Sequence, residues 1–201
     1  AHDMPARALL GATMESQSVP LIKPEAPVVG TGMEAVVPEA MGRIVRARAE
    51  GKIIYADSHK VTVKYKGDKN GPQTHLITKF KRTNPNSTCY SQGPAVSTGD
   101  EVKTGDLLID GPACENGELA LGRNLLIAYC SFDGLEYEDA IIISDRLVKE
   151  DVLTSINIEE YEAPVLETKL GPEELTRDIP NVSEGDLANL AQDGIFFVGS
   201  E

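Results

Sequence analysis

Two adjacent carboxylates, Glu138 and Asp139, stand immediately before the apolar run Ala140-Ile141-Ile142-Ile143. At the edge of a strand and beside a core, they would hold like charges where solvation is poor, a cost that a divalent cation relieves. Neighbouring residues of a strand point to opposite faces, so a strand here turns only one of the two toward a metal, through water. The chain has 32 acidic side chains, and an acidic pair taken alone reads equally as solvated surface. Arg7, in Ala6-Arg7-Ala8-Leu9-Leu10, taken alone is a helix-surface arginine whose stem covers apolar neighbours. Arg43, Arg46, Arg48 and Lys52 form a basic run that reads first as a solvated face and second as a phosphate contact.

Other chemistries lack their residues. Cys89, Cys114 and Cys130 show no Cys-x-x-Cys spacing, and only His2, His59 and His75 are available as co-ligands, which argues against a zinc site. An odd count of cysteines suits three reduced thiols in a cytosol-like compartment. No apolar run approaches the roughly 18 residues of a membrane span, and the start of the chain has no signal-peptide pattern. The formal charge of −13 argues at first against nucleic acid, yet residues 1–40, 41–90 and 91–201 carry −3, +8 and −18. The chain opens on Ala1-His2-Asp3 and closes on Phe196-Phe197-Val198-Gly199-Ser200-Glu201, which suggests a piece of a longer polypeptide.

The elements that must position these residues are mostly strands. Residues 1–40 hold five of the 12 prolines, and only Met4–Met14 has helical spacing there, so the remainder is expected to be extended chain lying on something else. The runs 52–56 and 60–66 alternate around Asp57-Ser58-His59 and predict a hairpin with Val61, Val63 and Tyr65 on its core face. Further strands are predicted at 73–82, 124–129, 140–144 and 155–161. Two Gly-Asp turns six residues apart, Gly99-Asp100 and Gly105-Asp106, suit the corner of a barrel. A helix is predicted over 183–192, with Ser183 as its cap, Asp186 three residues on, and Gly194 as its stop. Short strands with few short helices imply a mainly β, barrel-like architecture.

Several blocks carry more information than their composition. They are Ala6-Arg7-Ala8-Leu9-Leu10-Gly11, Val29-Gly30-Thr31-Gly32-Met33-Glu34, Asp110-Gly111-Pro112, Gly117-Glu118-Leu119-Ala120-Leu121-Gly122-Arg123-Asn124, Tyr137-Glu138-Asp139-Ala140-Ile141-Ile142-Ile143-Ser144, and residues 168–182 from Thr168-Lys169-Leu170-Gly171-Pro172 to Asn181-Val182. In this order and spacing they resemble the second-largest (beta) subunit of bacterial and plastid RNA polymerase.

The resemblance implies a segment lining the active centre over 1–40, a barrel-sandwich hybrid domain over 41–123, and part of a second, double-psi-like β-barrel with an acidic end over 124–201. It implies template-directed RNA synthesis from ribonucleoside triphosphates, a DNA template and RNA product, beta-prime and alpha subunits as partners, and a location in the bacterial cytoplasm or the plastid, away from membranes. The cofactor is Mg2+, with its main ligands on another subunit. Glu138 and Asp139 become a catalytic pair near the second magnesium, reached through water, and Arg7 a triphosphate contact. Lys169 and Arg46 become nucleic-acid contacts, although Lys169 is equally suited to an ion pair with Glu173 or Glu174, and Gly171-Pro172 reads as a turn. The 201-residue chain alone is expected to be inactive, because the family's later lysine-bearing and glycine-rich segments are not in it.

The chain departs from the family pattern at Ala6, where an asparagine precedes the arginine, at Ser16, where a second arginine stands, and at Glu136, which adds a third carboxylate beside the pair. Two other readings compete. One is a structural β-barrel assembly module. The other, suggested by the tandem Gly-Asp turns, is a biotinyl or lipoyl carrier, but Glu115 occupies the position where the carrier lysine belongs and no lysine lies between Lys103 and Lys149.

Overall fold

The runs of period two become strands wherever the chain offers them a neighbour. The structure is a computed structural model that describes residues 3–83, 87–169 and 171–200. Ala1, His2, Leu170 and Glu201, named above, lie outside the described residues. In chain order the elements are α1 (Asp3–Ser16), α2 (Met33–Ala40), β1 (Val45–Arg46), β2 (Gly51–Ala56), β3 (Lys60–Tyr65), β4 (Gln73–Leu76), β5 (Lys81–Arg82), β6 (Cys89–Tyr90), β7 (Gly93–Pro94), β8 (Glu101–Val102), β9 (Leu107–Asp110), β10 (Cys114–Glu115), β11 (Glu118–Leu119), α3 (Asp145–Lys149), β12 (Glu167–Thr168) and β13 (Gly171–Pro172). The chain is mainly β with few short helices, as expected. All its sheets are antiparallel and, among the described residues, none closes on itself.

Two sheets share one core. The first has strand order β4-β3-β2-β8 and the second β1-β9-β7. Val61, Val63 and Tyr65 are buried on the inner side of β3, as their alternation requires, and they pack with Ile53, Ile77, Val102, Leu108, Ile109 and Ala47. Gly51 lets β2 approach β3 closely: a Cβ at this position would lie 2.7 Å from the carbonyl oxygen of Lys64.

The tandem Gly-Asp signal folds as two copies of one device. Asp100 accepts from the Ser97 N–H and Asp106 from the Lys103 N–H, each at 2.7 Å, and Gly99 and Gly105 sit at φ 100° and 92°. Only glycine takes such angles without strain. The Gly99 and Gly105 N–H groups then donate to the carbonyls of Ile53 and Ala47 at 2.9 and 2.8 Å, and Ile53 and Ala47 donate back to Asp100 and Asp106, both at 2.8 Å. A six-residue repeat in the turns is thereby matched by a six-residue repeat in the strands they clasp.

Several expectations are corrected. The segments 124–129 and 140–144 are not strands, because no strand among the described residues pairs with them, and an unpaired strand is unstable in water. Ser144 instead caps α3, its Oγ accepting from the Arg146 N–H. The 155–161 segment makes only isolated bridges, Leu21 with Ser155 and Thr88 with Asn157. The 73–82 run breaks into β4 and β5, with Phe80 between them at φ 47°. Gly171-Pro172 is a strand paired with β12 rather than a turn. Over 183–192 the predicted cap is present, with Ser183 Oγ accepting from the Asp186 N–H at 3.3 Å, but of the backbone bonds behind it only that of Leu187 to Ser183 spans four residues and the others span three, so turns form in place of a helix.

The first forty residues are extended only in part. Residues 21–28 lie along the chain as expected: Ile22 donates to the Thr154 carbonyl, Glu25 to Gly122, and Ala26 to the Glu115 carboxylate. The helix α2 was not expected. Its signal is Thr31-x-x-Glu34: just ahead of the helix the Glu34 carboxylate receives the Thr31 and Gly32 N–H groups and the Thr31 hydroxyl accepts from the Met33 N–H, while Gly32 takes the N-cap position at φ 89°. These hydrogen bonds hold the Glu34 carboxyl below its ordinary range.

The chain divides into two units, 1–159 and 160–201. Within the second, Leu190 bridges to Phe196. None of the helices in the described residues is long and apolar enough to cross a membrane.

His75 is partly buried on β4, where desolvation, helped by the nearby Arg48 guanidinium, holds its pKa below the ordinary value. The folded state therefore favours neutral imidazole. Stability from this group is complete above the unfolded value, about 6.5, and is lost as pH falls through the depressed folded value. Thermal melts between pH 7.5 and 5 are expected to show a steeper loss of Tm on acidification for the parent chain than for His75→Gln. Parallel curves would rule the effect out.

Candidate functional site

The segment 131–140 is a loop built by its own polar groups. Glu136 accepts from the Ser131 hydroxyl and, at 2.9 Å, from the Phe132 N–H. The Ser131 bond, followed by that of Phe132, holds the Glu136 carboxyl below the ordinary carboxylate range. This departure from the family pattern therefore closes the loop. It is tied to residues 131 and 132.

Beyond Glu136 the chain reverses in a β-turn, Tyr137-Glu138-Asp139-Ala140, closed by the Ala140 N–H on the Tyr137 carbonyl at 3.4 Å. Glu138 takes the first corner at φ 58°, a left-handed conformation uncommon for a residue with a side chain. Glu138 and Asp139 are both exposed. The expectation of a strand edge beside a core is thus corrected, and with it the strand alternation that was to turn only one carboxylate toward a metal. The apolar residues that follow do not form a core: Ile141 is 85% exposed and Ile143 53%.

The other site residues stand on separate elements. Arg7 projects from the exposed helix α1. Arg46, at the end of β1, donates through Nη1 to the Gly105 carbonyl at 3.1 Å and pairs through Nε with Glu39 of α2 at 3.6 Å. It braces the second Gly-Asp turn against α2. Arg48 pairs with Asp68 and lies over the Tyr65 ring at 4.9 Å. Lys169 occupies the exposed turn between β12 and β13, in the second unit. Glu173, a suggested partner for it, accepts instead from the Leu166 N–H and returns a backbone bond to the Leu166 carbonyl. Among the described residues no three of His, Cys, Asp and Glu converge as a metal site.

Residues to which the sequence assigned no site role tie the chain together. Arg123 donates to the Lys23 carbonyl and pairs with Glu25, while Asn124 donates to the Ala26 carbonyl at 2.9 Å. Glu115, where a carrier domain would need its lysine, accepts from the Ala26 N–H at 2.6 Å. The only signal for this clasp in the sequence is the polar pair that ends Leu121-Gly122-Arg123-Asn124. The thiols offer no reactive centre inside: Cys89 and Cys114 are buried, and desolvation, with Asp110 adding to it, pushes the Cys114 thiol up to about 11.

Comparisons with known proteins agree with the order of the blocks. Residues 46–201 match the family model described as RNA polymerase Rpb2, domain 6. The DNA-directed RNA polymerase subunit beta of Staphylococcus aureus (strain COL) is 50% identical over 201 aligned residues, covering 97% of this chain and 17% of that protein. The protein of the same name from Staphylococcus epidermidis (strain ATCC 12228) matches equally, at 50% identity over 97% of the chain. The chain thus spans about a sixth of the length of the curated relatives it matches.

Proposed function

We propose, because the chain belongs to the RNA polymerase Rpb2 domain 6 family, that it serves as a segment of the beta subunit of a DNA-directed RNA polymerase and contributes to template-directed nucleotidyl transfer. The observation that carries this reading is the identity to named beta subunits, 50% over 97% of the chain. The implied setting is a multi-subunit enzyme with beta-prime and alpha subunits, a DNA template, an RNA product and ribonucleoside triphosphates, in the bacterial cytoplasm or a plastid.

Within that enzyme Glu138 and Asp139 would hold the second magnesium. Mg2+ keeps several waters and takes one or two carboxylates together with substrate phosphates. Two exposed carboxylates in one turn, with no third protein ligand converging among the described residues, suit that donor set. When bound, the ion supplies positive charge to the triphosphate as pyrophosphate leaves. Arg7 would add a cationic contact to the same triphosphate. Lys169, exposed on its turn, would meet the nucleic-acid backbone. Arg46 would reach a phosphate only by giving up its bonds to Gly105 and Glu39.

A segment exchange tests the reading. The Staphylococcus aureus beta subunit with its matching residues replaced by this chain is expected to assemble and to transcribe a DNA template. An assembled but inactive chimera would overturn the proposal.

A further inference from the structure

The sheet β4-β3-β2-β8 ends on an open strand. Ile77 donates to the His59 carbonyl at 2.7 Å, and β3 and β4 pair Val61 with His75 and Thr62 with Thr74. Antiparallel pairs alternate between bonded and non-bonded, so the peptide groups of Gln73 and His75 face β3, and those of Thr74 and Leu76 face away from it. Among the described residues nothing pairs with that outer edge.

With four residues the strand is short, which is one way of blunting an edge, but the other protections are absent within it. Open edges are normally blunted by charge, proline or a bulge within the strand, yet Gln73–Leu76 contains no Asp, Glu, Lys, Arg or Pro, and Leu76 is 78% exposed. On the inner side of the same strand, Gln73 Oε1 and His75 Nε2 are buried without a hydrogen-bond partner. Residues 69–99 contain no Asp or Glu, although the whole chain has 32. Lys69, Lys79 and Lys81 flank β4 in the sequence, and Lys60 and Lys64 are exposed on the adjoining β3, with Lys60 directly opposite Leu76.

We propose that the outer edge of β4 receives an extended, acidic segment of a partner polypeptide as an added antiparallel or parallel strand. Its backbone bonds to Thr74 and Leu76 supply the pairing, an apolar side chain covers Leu76, and carboxylates at its ends meet the flanking lysines.

Hydrogen exchange on the full 201-residue chain tests this, with the acetylated peptide Glu-Glu-Thr-Val-Thr-Ile-Glu-Glu as probe. Exchange at the Thr74 and Leu76 amides is expected to slow by about tenfold, while Gln73 and His75, already bonded to β3, change little. Thr74→Pro removes an outward donor and is expected to abolish the effect. Leu76→Glu leaves the buried side of the strand intact and is expected to weaken binding through repulsion, with protected Gln73 and His75 amides reporting that β4 remains in place. No slowing with the acidic peptide, equal slowing with a lysine-flanked version, or equal slowing with an oligothymidylate would each overturn the proposal.

Discussion

Glu138→Gln combined with Asp139→Asn, in a polymerase whose beta subunit carries this segment, is expected to lower kcat/KM for nucleotide addition by about 100-fold and to raise the magnesium concentration for half-maximal rate. About 2.7 kcal/mol of transition-state stabilisation is then lost, the magnitude seen when one well-placed charged or hydrogen-bonding group is removed from a reacting centre. The substitutions keep shape and remove charge. Both side chains are exposed on a turn, so the change in stability is expected to stay within about 0.5 kcal/mol and assembly to be unaffected. Added magnesium should recover part of the rate. Glu136→Gln is the matched control: its carboxylate is bound to Ser131 and Phe132, so it should loosen the loop and leave the magnesium midpoint where it was. Arg7→Ala is expected to act on KM for the nucleotide instead, with partial recovery in Arg7→Lys. An unchanged magnesium dependence in the double variant would reduce Glu138 and Asp139 to surface.

How well the sequence predicted each element depended on where its partner lay. The hairpin of β2 and β3 was legible because both strands, the turn between them and the buried face of Val61, Val63 and Tyr65 all lie within fifteen residues. The Gly-Asp turns were legible because each bonds itself, Asp100 to Ser97 and Asp106 to Lys103. The segments 124–129 and 140–144 have the apolar content of strands, but a strand exists only with a neighbour, and local pattern cannot report one. Leu126, 104% exposed, shows the consequence. For α2 the signal was present in Thr31 and Glu34 and was outweighed by the prolines around it.

The site residues follow the same logic. Glu138 and Asp139 were found through the block around them, whereas their setting was misjudged, because the left-handed corner at Glu138 is nowhere encoded by a glycine. Arg46 looked like one of a run of surface cations. Its role as a brace depends on Gly105 and Glu39, which lie 59 residues after it and 7 before it in sequence, and only the folded chain brings them together. Arg123 and Asn124 stand in the sequence only as the end of a motif block, and the clasp they form on residues 23–26 gives that block a physical content.

Leu108→Ala is expected to cost about 3 kcal/mol, within the range of roughly 2 to 5 for truncating a buried leucine. Leu108 has no exposed surface and belongs to the cluster that joins the two sheets, so the cavity cannot be filled by solvent and its neighbours cannot easily close on it. Against a net stability of about 5 to 15 kcal/mol for a domain, this is a large fraction. Urea unfolding should show the midpoint falling with little change in slope, because the surface exposed on unfolding is nearly the same. Leu126→Ala removes a side chain of equal size that is fully exposed, and is expected to shift stability by less than about 0.5 kcal/mol. The two leucines therefore separate burial from composition. The turn 137–140 draws its hydrogen bonds from within its own loop and none of its residues belongs to that cluster, so Leu108→Ala should lower the midpoint without moving the magnesium requirement. If it moved both together, the carboxylates would owe their placement to the core, and the independence of loop and core would be wrong.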